Sequence, residues 1–271
     1  MSSRSSWQVG QGMKRAGKAG HTIMASRTRP PLVFYTHTLC PYATRVALAL
    51  REKGLAFDLI HIDLAKKPVW YAKEVNQKGL VPALQVVDDD LVVVESLDIL
   101  KFVEEAFEGA ALLPEQGKQR EVALEVVNSV AAKVVSGGLR AVAGGDRLWG
   151  IGPNPNPAAL GRELGELEEI LAKSGGPYLC GPDVTLADLA TYPFVERFEV
   201  ALGIGGHSVR DLGSPLVWQW MQDMQARDSC RWAAADPTLL GEAYKKHGCL
   251  DFFDYTSYGV WDLHPHNKGL R

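Results

Sequence analysis

The chain has 271 residues, of which 46% are hydrophobic and 23% are charged. These values exclude a mostly disordered or collagen-like protein, and the length suits two modest domains better than one. The formal net charge of −3 hides an asymmetry, because residues 1–30 hold six basic residues and no acidic one. Subtracting these six from the 29 basic residues leaves 23 against 32 acidic residues, a net charge of −9. The acidic character of residues 31–271 disfavours nucleic-acid binding, which requires a basic surface. No apolar run approaches the roughly 18–20 residues that span a bilayer.

Residues 1–30 form a leader rich in Ser, Gly, Ala, Arg and Lys, and the first acidic residue in the chain is Glu52. This composition is typical of an organellar transit peptide, and the leader lacks the apolar core of a secretory signal. We therefore predict a disordered leader that directs the protein to an organelle, the plastid stroma if the source has plastids. The alternative is a basic tail without addressing value on a cytoplasmic protein. Met24 could start a shorter, untargeted form.

Residues 31–110 alternate between strand and helix patterns. After Cys40, apolar residues recur at helical spacing, and Gly54 is placed to end that helix. The patterns predict strands at Leu32–Thr36 and Leu59–Ile62, a hairpin of Ala83–Val87 and Leu91–Val94, a short helix near Val69–Val75 and a helix from about Ser96. The order β-α-β-α-β-β-α predicts a mixed sheet with helices packed against it.

Residues 115–250 contain only helix patterns, so we predict an α/β domain followed by an all-helical one. Two amphipathic helices are indicated by valines from Val122 and leucines from Leu160, with a loop over 144–157 between them. A third helix opens at Thr185, which we expect as its N-cap, with the Asp188 carboxylate reaching back. Pro193 lies inside this helix and is expected to kink it. Further helices are predicted near 215–226 and 237–246, before a tail over 251–271.

Cys40 is the strongest candidate for chemistry, because it lies where a strand meets a helix that begins with Pro41. Free N–H groups of the first helical turn lower a thiol pKa from ~8.5 toward 7 or below and so favour a nucleophilic thiolate. Ala43 stands at i+3 in place of a second cysteine, which excludes a local dithiol and implies an external thiol. An inert buried cysteine is the alternative. The other three cysteines lack metal-ligand spacing, so we expect no metal site and a reducing compartment.

Three motifs around this cysteine resemble, in order, those of cysteine-type glutathione transferases. They are Leu39-Cys-Pro-Tyr-Ala43, Gly79-Leu-Val-Pro82-Ala-Leu and Glu95-Ser96. The likeness is greatest to the plant lambda class, with the omega and dehydroascorbate reductase classes as relatives, and it runs over roughly residues 32–247. The three motifs at this spacing are jointly specific, whereas any one alone is weak evidence. The family's thioredoxin-like domain followed by a helical domain agrees with the architecture that the patterns predict.

The resemblance implies a role for each motif. Cys40 would attack the sulfur of a glutathione conjugate or mixed disulfide. Pro82 would follow a cis peptide bond, with the backbone of Val81 pairing with the peptide groups of glutathione. Glu95 and Ser96 would hold the γ-glutamyl end, the carboxylate facing its ammonium and the hydroxyl its carboxylate.

Four further side chains have open roles. Lys67 matches the family lysine that reaches the glycyl end of glutathione, with a bland surface lysine as the alternative. Tyr42 and Trp70 either border the acceptor site or merely pack, and packing is the expectation. Arg45 follows Cys40 by about one turn, so it either adds positive potential there or faces solvent.

The resemblance implies a glutathione-dependent thiol transferase that removes glutathione from small-molecule conjugates or mixed disulfides through a Cys40 mixed disulfide. Dehydroascorbate reduction by the same cysteine is an alternative. A non-catalytic carrier of glutathione adducts or hydrophobic ligands is another. Conventional conjugation is disfavoured, because a cysteine at the activating position forms a disulfide with glutathione. Glutathione is thus the expected co-substrate, without a metal, and the expected partners are small molecules rather than nucleic acids or membranes. We expect a monomer or weak dimer.

Overall fold

A computed structural model describes residues 32–64, 66–143 and 155–247 of the chain. The predictions for the leader, for the tail and for most of the loop over 144–157 concern residues outside these ranges. Cys249 also lies outside them.

The N-terminal domain is built on a mixed four-stranded sheet. Its strands are β1 (Leu32–Thr36), β2 (Asp58–His61), β3 (Ala83–Val86) and β4 (Leu91–Val94), in the spatial order β2-β1-β3-β4. β1 pairs in parallel with β2 and antiparallel with β3, which pairs antiparallel with β4. In the register of the sheet, Phe34 of β1 lies opposite Leu59 of β2 and Leu84 of β3. The mixed sheet and the β3–β4 hairpin are confirmed.

Two α-helices and a π-helical turn complete this thioredoxin-like domain. They are α1 (Pro41–Glu52), the turn Tyr71–Val75 and α2 (Ser96–Ala106). α1 is buried on nearly every side, because it contacts α2 within the domain and two helices of the C-terminal half. A helix covered all round requires apolar residues all round, and Val46, Leu48 and Leu50 are fully buried.

Over the residues described, the C-terminal domain has helices and no strand, apart from an isolated β-bridge between Tyr178 and Gly181. Its helices are α3 (Lys118–Glu125), α4 (Ala131–Ala143), α5 (Pro157–Ser174), α6 (Leu186–Ile204), α7 (Pro215–Gln225), α8 (Asp228–Ala233) and α9 (Pro237–His247), and a π-helical turn at Val126–Val130 joins α3 to α4. The leucines of α5 that the periodicity singled out, from Leu160 to Leu171, are all buried. The predicted fold class, α/β followed by all-α, is therefore confirmed.

The stretch Lys118–Val142 is long and apolar enough to cross a membrane by length and composition, with a mean hydropathy of 1.4 in its most apolar window. It contains Lys133 and Arg140, so it does not read as an uninterrupted apolar run. Half of that window is buried inside the fold. Core helices of soluble proteins pass the same test, so this helix is weak evidence for membrane insertion.

The structure differs from the sequence-based elements in a few places. β2 begins at Asp58, one residue before the predicted start, and β3 ends at Val86. Pro157, assigned to the loop, is the first residue of α5, where its missing N–H costs no helical hydrogen bond. The six-residue α8 was not predicted, because so short a segment carries less than two turns of periodicity.

Candidate active site

Cys40 is the N-cap residue of α1, and Pro41 occupies the first helical position as predicted. The Cys40 carbonyl accepts the Thr44 N–H at 3.0 Å and the Thr44 hydroxyl at 3.1 Å, which ties the cysteine backbone to the first turn. Its side chain is buried and makes no helix-capping hydrogen bond. The Sγ atom lies 4.0 Å from the carbonyl oxygen of Val81.

Val81 and Pro82 face the cysteine from the loop before β3. The Val81–Pro82 peptide bond is cis, as the motif led us to expect. The Tyr71 hydroxyl and the Asn76 amide both donate to the Leu80 carbonyl, at 2.7 and 2.8 Å, which holds the loop from behind. Within the described residues, no other backbone group pairs with the Val81 N–H or C=O. A bound peptide could therefore form strand-like hydrogen bonds there.

Glu95 and Ser96 form the start of α2. Glu95 is the N-cap, with φ +69, and its exposed carboxylate pairs with Lys78 Nζ at 2.6 Å. Ser96 is buried, and its hydroxyl oxygen accepts a hydrogen bond from Arg45 Nη1 at 3.2 Å. The predicted pair thus presents an exposed carboxylate beside a fixed hydroxyl.

Lys67 is exposed, and its side chain lies across Gly79 at the start of the loop that carries Val81. A side chain at Gly79 would meet the Lys67 Cδ atom at 3.1 Å, and φ +63 at Gly79 also favours glycine. This arrangement adds a positive charge at the loop but no contact to Cys40.

Arg45 is buried rather than solvent-facing, which rules out one of the two sequence alternatives. Its Nε donates to the Ala190 carbonyl of α6 at 2.7 Å, and its guanidinium lies 4.5 Å from the ring centroid of Phe194. Burial lowers the pKa of Arg45 to about 10, while interactions with Tyr42 and Cys40 act to raise it. The guanidinium is therefore a charged group at neutral pH in contact with both domains.

The two flanking aromatic residues behave differently. Tyr42 packs edge-on against Phe194, with ring centroids 4.8 Å apart, as expected for a packing role. Trp70 contacts Tyr35 but remains partly exposed.

Two buried cysteines provide an internal comparison with Cys40. Burial raises the pKa of the Cys180 thiol to about 11 and that of the Cys230 thiol to about 12. Both are free thiols and neither caps a helix N-terminus. Their environment favours the unreactive protonated form.

A buried histidine borders the cysteine turn and was not singled out by the sequence. His37 Nδ1 accepts the Leu39 N–H at 3.2 Å, and the His37 carbonyl accepts the Cys40 N–H at 3.0 Å. Burial, assisted by repulsion from His61, lowers the pKa of His37 to about 3, so its ring is neutral at physiological pH.

The described ranges contain no group of three or more His, Cys, Asp or Glu side chains that could hold a metal ion. A polar cavity of about 480 Å³ lies at the opposite end of α1, lined in part by Arg51, Tyr178 and Arg231. None of the predicted site residues lines it.

The fold and this arrangement define a thioredoxin-like domain with a cysteine at the N-cap position of a helix, joined to a helical domain. Residues 34–111 match the family model of the glutathione S-transferase N-terminal domain, and residues 157–223 match that of its C-terminal domain. Glutathione S-transferase L3 of Arabidopsis thaliana is 30% identical over 80% of this chain and 90% of its own length. The chloroplastic glutathione S-transferase L2 of the same plant is 31% identical over 78% and 69%. The crystal structure of glutathione transferase Omega 2C from Trametes versicolor is 26% identical, with a TM-score of 0.67, over 80% of this chain and 98% of that one.

The chain belongs to the glutathione S-transferase family, and its relatives include lambda-class proteins. Glutathione is the co-substrate of this family.

Proposed function

We propose that the protein is a glutathione-dependent thiol transferase that removes glutathione from small-molecule conjugates or mixed disulfides. The observation that carries this proposal is the place of Cys40 at the N-cap position of α1. Its sulfur lies 4.0 Å from the carbonyl oxygen of Val81, in the loop with the cis proline. A cysteine at a helix N-terminus is stabilised as the thiolate, which is the nucleophilic form.

With a mixed disulfide as substrate, the Cys40 thiolate attacks the glutathionyl sulfur, and the acceptor leaves as a thiolate that takes up a proton. With a thioether conjugate, the carbon–sulfur bond breaks, and the carbon keeps the electron pair and is protonated. Both reactions leave glutathione in a disulfide with Cys40. A second glutathione thiolate then attacks that disulfide, which releases oxidised glutathione and regenerates the Cys40 thiolate.

The proposed binding site follows the charges of glutathione. The Glu95 carboxylate faces its ammonium and the Ser96 hydroxyl its γ-glutamyl carboxylate. Val81 pairs with the peptide backbone next to Pro82, and Lys67 receives the glycyl carboxylate. Glu95 already binds Lys78 in an exposed pair, and such pairs contribute little to stability, so the carboxylate is available to a ligand.

We further propose that residues 1–30 direct the protein to the plastid, since their basic, acid-poor composition suits a transit peptide and one relative is described as chloroplastic. The acidic remainder of the chain favours small-molecule partners over nucleic acid.

The test is intact-mass analysis of the full chain after treatment with oxidised glutathione, followed by turnover of a glutathionylated small disulfide. We expect one glutathionyl group, mapped to Cys40 and removed by reduced glutathione. Cys40→Ser should show neither the adduct nor turnover, because a serine hydroxyl is hardly ionised near neutral pH.

Cys230→Ser is the matched control, because that thiol is free and buried with a raised pKa. It should keep both adduct and turnover. An adduct on another cysteine, or turnover by Cys40→Ser, would refute the proposal. If dehydroascorbate is turned over faster than the disulfide, the reductase alternative is favoured. If the adduct is stable and nothing is turned over, the carrier alternative is favoured.

A further inference from the structure

Arg45 is a buried cation that links three helices beside the candidate site. It lies on α1, the helix that begins after Cys40, and it donates to Ser96 at the start of α2 and to Ala190 of α6. Only 4% of its surface is exposed.

The Arg45 guanidinium has no acidic partner within the described part of the chain. Among the residues that the structure describes, no carboxylate lies within 4 Å of Arg45. A buried cation without a counter-charge is costly. The other buried arginine near α1, Arg197, is paired with Glu196.

The contact with Ser96 has a consequence for its hydroxyl group. A serine hydroxyl has one hydrogen and two acceptor lone pairs. Because Arg45 Nη1 is a donor at 3.2 Å, the Ser96 oxygen is the acceptor in that bond, and its single hydrogen is directed elsewhere. A ligand carboxylate is an acceptor and would take that hydrogen.

We propose that Arg45 is a positioning residue with two effects: its charge stabilises the Cys40 thiolate, and its hydrogen bond orients the Ser96 hydroxyl toward a ligand carboxylate. This inference rests on the proposed function and adds to it the source of the thiolate's counter-charge. Arg45 follows Cys40 by five residues along the same helix, a rise of about 7.5 Å, and helical side chains tilt toward the N-terminus, where Cys40 lies. The interaction with Cys40 also acts to raise the pKa of Arg45.

Other titratable and charged groups lie around Arg45 and Cys40. They are His37 before α1, Tyr42 on α1, Tyr71 behind the cis-proline loop, Glu95 beside Ser96 and the Glu196–Arg197 pair of α6. His37 is neutral at physiological pH, and burial raises the pKa of Tyr71, which keeps it protonated. Of the two arginines in this group, Arg197 is paired with Glu196. Within the described residues, Arg45 is therefore the arginine of the group that has no carboxylate partner.

The first experiment measures the rate of alkylation of Cys40 against pH, with the modified peptide quantified by mass spectrometry. Arg45→Met should raise the apparent pKa of Cys40 by at least half a pH unit, about a threefold slower reaction below the pKa. Arg45→Lys keeps the charge and should raise it less. Arg51→Met is the matched control, because Arg51 is an exposed arginine near the other end of α1.

The second experiment is a double-mutant cycle on the KM for glutathione with Arg45→Lys and Ser96→Ala. Each single change should raise the KM by about three- to tenfold, through loss of the oriented hydroxyl. If Arg45 acts through Ser96, the KM of the double variant should not exceed that of the single variant with the higher KM. A purely structural role would make the two effects multiply.

Thermal unfolding is measured for every variant. If Arg45→Met does not fold, Arg45→Gln serves as the neutral variant, since its amide keeps a hydrogen-bond donor. An unchanged Cys40 pKa in the neutral variant, an equal rise in Arg45→Lys, or multiplying KM effects would overturn the inference. An ordinary thiol pKa for Cys40 in the wild-type protein would instead count against the proposed function itself.

Discussion

At the residue scale, Glu95 lies in the proposed binding site and has a backbone conformation that residues with side chains rarely adopt. Its φ of +69 is one of two positive values among the described non-glycine residues, the other being Asp90 in the β3–β4 turn. A non-glycine residue in this region costs of order 1–2 kcal/mol. A glutamate in this conformation at the start of α2 is consistent with a side chain needed for binding.

We expect Glu95→Gly to raise the free energy of unfolding by up to about 1 kcal/mol, because glycine adopts this conformation without the steric cost. The same variant should use glutathione at least tenfold less efficiently, through loss of charge-assisted hydrogen bonds. Glu95→Gln separates the two effects, since it should lose glutathione use without gaining stability. Alkylation of Cys40 should not change in either variant. A Glu95→Gly protein with full glutathione activity would remove Glu95 from the site.

His37 should make stability depend on pH in a defined window. Its pKa is about 3 in the folded protein against about 6.5 in an unfolded chain. Between these values the unfolded state binds the proton, so stability falls as pH falls. At pH 5 the loss relative to neutral pH is about 2 kcal/mol from this residue.

His37→Asn should remove that loss, because the Asn side-chain oxygen can accept the Leu39 N–H without titrating. The measurement is urea unfolding of both proteins at pH 7.5 and pH 5. The wild-type protein should lose about 2 kcal/mol more than the variant between the two conditions. Equal losses would mean that His37 is protonated in the fold or accessible to water.

The motifs identified which residues meet at Cys40, but not how their polar atoms pair. The burial of Arg45 carried no sequence signal, because a charged residue on a helix is ordinarily assigned to the solvent face. The positive φ of Glu95 had no sequence signal either, because such a position is usually occupied by glycine or asparagine.

At the element scale, α6 depends on one buried carboxylate near its start. Asp188 accepts hydrogen bonds from the Thr185 N–H at 2.8 Å and from the Leu179 N–H and Trp220 Nε1 at 2.9 Å each. It thereby joins the helix start to the preceding loop and to α7. The sequence predicted the contact between Thr185 and Asp188 from the local capping pattern. The Trp220 contact is 32 residues distant and had no local signature.

Asp188→Asn should lower the free energy of unfolding by about 3 kcal/mol, because the amide replaces an acceptor oxygen with a donor among three buried N–H groups. Asp183→Asn is the matched control, since Asp183 is exposed and five residues earlier. The measurement is urea unfolding at neutral pH. A loss below 1 kcal/mol for Asp188→Asn, or an equal loss for the control, would contradict the assignment.

At the scale of the whole molecule, α1 is the element that both domains hold. Near its start, Arg45 bonds to Ala190 of α6. At its end, Glu52 accepts two hydrogen bonds from Arg227, at 2.8 and 2.7 Å. Burial alone would raise the pKa of Glu52, but the hydrogen bonds from Arg227 and Ser229 outweigh it and lower that pKa. The helix that carries the cysteine is thus fixed by the helical domain at both ends.

The proposed plastid location of the whole chain depends on residues 1–30, which hold six of its 29 basic residues and no acidic one. Fused to a fluorescent protein, they should direct it to the plastid and be cleaved there, because import machinery recognises basic, acid-poor leaders. The matched control is the same leader with its six basic residues changed to Gln, which should leave the fusion diffuse in the cytoplasm. A fusion that begins at Met24 keeps only Arg27 and Arg29 of these residues and should also stay diffuse. A diffuse, uncleaved fusion with the native leader would contradict plastid targeting and favour the untargeted basic tail.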